Sequence, residues 1–273
     1  MAISIKSLIK VRADNPPRIM FYGPPGIGKT TLAQEFPDAI FLQVEDGTPD
    51  GVELDSFGLL ESYGDVIDSI RTIYEENLPF RAVVLDSVTA MQRLVWAETC
   101  RRGDEKGNAK ANIEDFGYGK GYVYAQRTWQ ELLDAFTMLR RDLGMTIILI
   151  AHSKVERFDD PESVSYDRYE IDLHDKSKGA IERDMDAIIL LKCPVTIKTE
   201  EVGFNKERSR ADGGAQVWMY TRGRPAFVAK NRYGIPDKVL YAPGKGFEVL
   251  APYLPESASA PAIIDDVDGK QAA

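Results

Sequence analysis

Hydrophobic positions along the chain fall into two patterns. Compact apolar runs recur at 18–22 (RIMFY), 39–45 (AIFLQVE), 81–87 (RAVVLDS) and 145–154 (MTIILIAHSK). Such runs read as strands buried on both faces. Between them the apolar residues are spaced for helices: KTTLAQEF after the first run, Val66, Ile67, Ile70, Ile73 and Tyr74 after the second, then 88–102 and 124–143. Alternating strand and helix over the first 150 residues predicts a mostly parallel sheet covered by helices. The polar, glycine-rich stretch 103–121 predicts a long mobile loop.

Beyond residue 154 the pattern changes. One short helix is expected within 172–184, a strand within 185–193, and further β-like segments at 215–222 and 225–234 with glycine-rich connections. The expected organisation is an N-terminal extension at 1–17, an α/β core at 18–255 whose C-terminal part is β-rich, and a tail at 256–273. That tail is small, acidic and proline-bearing, the composition of a disordered segment. Its cluster Ile263, Ile264, Asp265, Asp266, Val267 and Asp268 could also dock on a basic groove of a partner. There is no internal repeat.

Composition narrows the classes. With 44% hydrophobic residues in 273 the chain can build a sizeable core. A net charge of −9 argues against a surface coated for nucleic acid, though a few local basic loops would suffice to hold DNA. Cys100 and Cys193 stand apart, and with only His152 and His174 they form no metal-ligand spacing. A reducing cytoplasmic compartment is expected. The N-terminus lacks the apolar run of a secretory signal, and no stretch approaches the roughly 18–20 apolar residues of a membrane span.

The chemistry concentrates between the first strand and first helix. Gly23-Pro24-Pro25-Gly26-Ile27-Gly28-Lys29-Thr30 fits G-x-x-x-x-G-K-[ST], with Thr31 following. In such a loop successive backbone N–H groups converge on a phosphate and the helix N-terminus adds its partial positive charge. Lys29 would reach the β- and γ-phosphates of ATP, and the Thr30 hydroxyl would ligate Mg²⁺. Asp86, closing the run RAVVLDS, is the expected second carboxylate of the metal site. Its neighbour is Ser87 rather than a second acid, so the group that orients the attacking water must come from elsewhere. Glu45, at the end of the second strand, is the candidate, with Asp46 its competitor.

These segments resemble known ATPases. IFLQVEDG is similar to the second strand of RecA-type ATPases, which ends in the catalytic glutamate. IILIAHSK resembles their sensor strand, which makes His152 the residue that reads the γ-phosphate. FVAKNRYG is similar to the segment of DnaB-like and related RecA-core proteins from which a lysine and an arginine reach a neighbouring subunit's nucleotide. The resemblance thereby implies that role for Lys230 and Arg232, with Arg222 and Arg224 as second choices. Over residues 15–250 the chain looks most like phage RecA-core ATPases of the Sak-four single-strand annealing group.

The resemblance implies an ATP- and Mg²⁺-dependent ATPase acting on single-stranded DNA in a bacterial host. Ring or filament assembly follows, with nucleotide at subunit interfaces and a single-strand-binding protein as a further partner. Two segments correspond to the DNA loops of such proteins. The first, 103–121, carries Lys106, Lys110, Lys120, Phe116, Tyr118 and Tyr122. The second, 153–178, carries Lys154, Arg157, Phe158, Tyr166, Arg168, Tyr169, Lys176 and Lys178. Residues 206–210 are a third candidate. Both loops also contain acids, and ordinary solvated loops would look the same. Two features depart from RecA: a histidine at the sensor position and no helical domain ahead of the core. An AAA+ ATPase is the competing reading, because GPPGIGKT is a spelling those enzymes favour. The missing second acid and the β-rich C-terminal third count against it, and a helical lid after residue 185 would decide for it.

Overall fold

The computed structural model describes residues 14–76, 78–162, 164–201 and 207–258, leaving aside the side chains of 195–201 and 207–213. Its centre is a sheet of six parallel strands: β1 (Arg18–Gly23), β2 (Ala39–Gln43), β3 (Asp55–Leu59), β4 (Ala82–Asp86), β5 (Thr146–Phe158) and, beyond the hairpin strand β6 (Tyr166–Ile171), β7 (Ala187–Lys192). In space these parallel strands run β7-β1-β5-β4-β2-β3. Ile, Val and Leu dominate the central strands because both of their faces are covered, and side chains alternate between two cores. Met20 and Tyr22 join Val83, Leu85, Ile147 and Leu149 on one face. Ile19 and Phe21 join Val84, Ile148 and Ile150 on the other.

Six α-helices are described: α1 (Lys29–Gln34), α2 (Tyr63–Glu75), α3 (Val88–Arg102), α4 (Lys120–Asp142), α5 (Asp175–Asp184) and α6 (Gly246–Leu250). Helices α2, α3 and α4 pack on the first face through residues such as Ile70, Met91 and Trp129. Helices α1 and α6 pack on the second through Leu32 and Leu250. The N-terminus of α2 is set by a reciprocal cap between Ser62 and Asp65.

After β7 the chain turns antiparallel. Strands β8 (Val195–Glu201) and β9 (Glu207–Gly213) form a hairpin of their own. Strand β10 (Val217–Tyr220) pairs with β7, β11 (Lys230–Asn231) pairs with the start of β7, and β12 (Lys238–Tyr241) closes the edge on β10. The β-rich C-terminal part expected from the sequence is therefore present. Among the described residues after 185 the only α-helix is the five-residue α6.

Two expectations change. Segment 103–121 is not one long loop. The Asp104 carboxylate accepts the backbone N–H groups of Lys106 and Asn108, and Asn112 and Asp115 cap a 3₁₀ turn at Ile113–Phe116. Helix α4 then starts at Lys120, four residues before the apolar spacing suggested. The segment that follows His152 is a β-ribbon: β5 runs on to Phe158 and folds back as β6, with Ser153 opposite Ile171 and Phe158 opposite Tyr166. Lys206, residues 1–13 and residues 259–273 lie outside the described residues, and with them most of the extension and tail. No helix among the described residues is long and apolar enough to cross a membrane.

Candidate nucleotide site

Parallel strands end on the same side, so the crevice along their C-terminal rim collects residues far apart in sequence. Register places His152 beside Gly23 and Asp86 beside Gln43. The strand order brings β5 between the phosphate-loop strand and β4, which puts His152 between the loop and Asp86.

The loop itself takes left-handed backbone at Gly26 (φ 72°) and Gly28 (φ 97°), a conformation that favours glycine. A Cβ at Gly26 would meet nothing within 4 Å, so its backbone faces open space that a phosphate can enter. Gly23 is glycine for a different reason: a Cβ there would sit 2.5 Å from the Leu191 carbonyl oxygen on the adjacent strand. Ile27 turns away and packs on the second core.

Lys29 is buried, and its Nζ donates to the loop carbonyls of Gly23 (3.0 Å) and Pro24 (2.9 Å). Burial lowers its pKa, opposed by the nearby carboxylates of Asp86 and Glu45. Thr30 Oγ1 donates to Asp86 Oδ2 at 2.7 Å. Burial raises the pKa of Asp86, and the Thr30 hydrogen bond pulls it back down. Ser87 caps α3 by accepting from Ala90 N–H, which leaves the Asp86 carboxylate to the cleft.

Glu45 faces this cluster across the cleft. His152 Nε2 lies 3.1 Å from Glu45 Oε1. That hydrogen bond is the largest cause holding the Glu45 carboxyl below its usual range; burial opposes it, and His152 charge, Ser87 and Lys29 add to it. His152 is in turn fixed by its backbone, whose N–H donates to Thr89 Oγ1 (3.0 Å) and whose carbonyl accepts from Asp172 N–H (2.9 Å). The cleft measures ≈ 370 Å³ and is lined by Pro25, Gly26, Gly28, Lys29, Thr30, Thr31, Gln43, Glu45, Asp46, Gly47, Pro49, Asp86 and His152. Asp46 lines it too but is exposed.

This donor set fits a magnesium nucleotide. Thr30 and Asp86 offer one hydroxyl and one carboxylate already within 2.7 Å of each other. Among the described residues no group of three or more His, Cys, Asp or Glu could hold a metal by itself. Mg²⁺ suits such a site, since it takes one or two protein oxygens and completes its octahedron with phosphate and water. Thr30 and Asp86 would hold it, and it would supply positive charge that offsets the charge of the phosphates.

Lys230 and Arg232 lie elsewhere. Lys230 pairs with Ile188 near the start of β7, the end of the sheet opposite Gly23. Both side chains point toward the α5–β7 junction. Lys230 Nζ donates to the carbonyls of Glu182 (2.9 Å) and Arg183 (3.1 Å), and Arg232 Nη1 to Asp186 Oδ1 (2.8 Å). Asp186 also contacts Arg18 and Arg140, so it gathers three guanidinium groups. Within one chain these cations do not meet the phosphate loop, and any part they play there belongs to a second copy. Arg222 is 3.6 Å from Asp237, and Arg224 sits in a turn with Phe227.

The two loop candidates have much of their chemistry engaged internally. Phe116 packs on Tyr124, and Tyr122 stacks on His174 at 3.9 Å. Tyr118 stands fully exposed between Gly117 and Gly119. On the ribbon Lys154 pairs with Glu156, and Arg168 with Glu170 and the Phe158 ring; Lys178, on α5, pairs with Glu170 and Asp175.

Sequence reading missed the supports: Thr89 under His152, the Gln43–Thr48–Ser56 hydrogen bonds beside Glu45, and Glu35 under the loop helix. Only Thr89 left a signal, as one of two hydroxyl residues after Asp86.

A glycine-rich loop between strand and helix, a lysine and threonine at its end, and a strand-end aspartate bonded to that threonine define a P-loop nucleoside triphosphatase. Residues 15–233 match the AAA domain family, and the chain belongs to it. No curated protein matches the chain.

Proposed function

We propose that the protein is an ATPase of RecA-like architecture that assembles from several copies and couples hydrolysis to single-stranded DNA, in recombination or annealing of the phage type. One observation carries this reading. The residue that grips Glu45, His152, is on the same strand that continues into the β5–β6 ribbon. A change at the phosphate end of β5 therefore has a rigid, hydrogen-bonded path to an element outside the site. Among the described residues antiparallel strands follow β7, with no helix after residue 185 longer than the five-residue α6, which supports the RecA-like reading of the family core.

In the proposed reaction Glu45 accepts a hydrogen bond from the attacking water and orients it toward the γ-phosphate. Its low pKa makes it a weak base, suited to orienting water more than to removing its proton early. Lys29 leaves the Gly23 and Pro24 carbonyls for phosphate oxygens, and the loop N–H groups hold the β-phosphate. Lys230 and Arg232 of a second copy supply charge to the transition state.

ATPase rate with and without a single-stranded oligonucleotide, at low and moderate salt, tests this reading. Stimulation that fades steeply as salt rises is expected. An unchanged rate, with no strand annealing by the purified protein, favours the other reading: an NTP-gated loader or adaptor for a replication protein. The ribbon offers that reading one support, since its acids balance its cations.

A further inference from the structure

Helix α1 follows the phosphate loop and presents Lys29 and Thr30, yet it is only six residues long, with no side-chain N-cap, no acid in its first turn and no base in its last. A helix that short is not stable alone. Its hold on position must come from outside, and the structure has a specific device for it.

Glu35, the C-cap of α1, points to the turn that joins β12 to α6. Its Oε1 accepts from Tyr241 Oη (3.0 Å) and Gly244 N–H (2.7 Å). Its Oε2 accepts from Phe247 N–H (3.2 Å) and, more closely, from Gly246 N–H. One carboxylate thus satisfies four donors of an element more than 200 positions away. The Tyr241 ring then runs beneath the loop, where a Cβ at Gly28 would come within 3.3 Å of its Cε1. Gly246 is required by the same close approach: a Cβ there would stand 2.1 Å from Leu32 Cδ1 and 2.8 Å from both Glu35 Oε2 and the Tyr241 ring. Phe36, next along the chain, packs its ring on Phe247 at 4.9 Å.

We infer that Glu35 and Tyr241 are positioning residues for nucleotide binding: they bolt the C-terminal strands to α1 and set the height of the phosphate loop against its ligand. Tyr241 acts as the floor under Gly28, and Glu35 holds that floor. The inference rests on the reading of the loop as a nucleotide site. It adds that the last strand of the core, β12, and the turn after it, both beyond the family match, complete that site. By linkage, a nucleotide that tightens the loop must also tighten the turn at 242–247.

Binding of a fluorescent ADP with Mg²⁺ to the full chain tests it, in the wild type and in Tyr241→Phe, Glu35→Gln and Glu35→Ala. Tyr241→Phe removes one hydrogen bond and keeps the ring, so affinity should fall about fivefold while thermal stability without nucleotide barely changes. Glu35→Gln keeps acceptor capacity on one side only and should weaken binding further. Glu35→Ala should weaken it most; should it not fold, the two milder variants decide. Hydrogen exchange adds a readout that a purely structural clamp would not move: Mg²⁺–ADP should slow exchange at the amides of Gly244, Gly246 and Phe247 in the wild type, and less so in Tyr241→Phe. Wild-type affinity in Tyr241→Phe and Glu35→Gln, with no nucleotide-dependent protection of those amides, overturns the inference. A wild type that binds no nucleotide refutes instead the reading of the loop.

Discussion

Glu45 illustrates how a residue's chemistry is set by its neighbours. Alone, a glutamate after a strand is a solvated acid; here the hydrogen bond from His152 to one carboxylate oxygen lowers the pKa of the group below its ordinary value. Replacing Glu45 by glutamine preserves size and one acceptor, so nucleotide binding should persist while turnover falls about 10²-fold or more, as measured by steady-state ATPase assay and equilibrium binding. Replacing His152 by alanine removes the largest cause of the lowered pKa. The sign follows directly: the acid limb of the kcat profile, set below the ordinary value of 4.5 in the wild type, should move up toward it. An acid limb that stays in place would show that the contact does not act on Glu45. Asp86 has the opposite environment. Burial raises its pKa, so its charged form weakens the fold, and stability due to this group falls as pH rises from 3.8 through the raised value. Asp86→Asn should therefore raise the melting temperature of the nucleotide-free protein and abolish Mg²⁺-dependent turnover.

At the scale of elements, the active rim depends on how β4, β5 and the helices behind them are seated. Ser87 and Thr89 occupy one turn. The first caps α3, and the second receives the His152 amide of the next strand. That turn therefore registers His152 against Asp86. Seating of α4 depends on Gly121, where a Cβ would lie 2.1 Å from the Ile113 carbonyl oxygen and 2.9 Å from the Phe116 ring. Backbone cannot yield as a side-chain tip can, so Gly121→Ala should cost about 2 kcal/mol in urea unfolding with little change in the m-value. An unchanged midpoint would mean that the 3₁₀ turn at Ile113–Phe116 moves aside freely. The same close approach explains why 103–121, rich in glycine and polar residues, is ordered locally instead of forming one long loop.

At the scale of the whole molecule, the phosphate loop and the pair Lys230–Arg232 occupy opposite ends of the sheet. A copy that lacks the loop lysine can still lend cations, and a copy that lacks the cations can still bind nucleotide. Lys29→Ala and Arg232→Ala should each be inactive alone, and mixing them should restore part of the ATPase rate if the site is shared. Asp186 keeps Arg18 and Arg140 when Arg232 is removed, so the loss of stability in that variant should be small. No recovery on mixing, together with an Arg232→Ala protein that hydrolyses ATP normally, would reduce the pair to a structural clasp on α5 and β7.

Much of this was legible before any coordinates. Apolar runs such as IILIA and AVVL can satisfy their backbone only in a covered sheet, and the spelling GPPGIGKT constrains loop, helix and phosphate together; local rules sufficed for the phosphate loop, the central strands and the covering helices. Strands β3 and β6 were not legible, because DSFGL and YDRYEI have no apolar pattern and become strands only through a neighbour's open edge. Tertiary structure alone decided that His152 holds Glu45, that Arg232 pairs with Asp186, and that Glu35 clamps a turn two hundred residues away. Each of those contacts joins groups whose separation along the chain carries no information about their distance in space, which only the order and register of the strands determine.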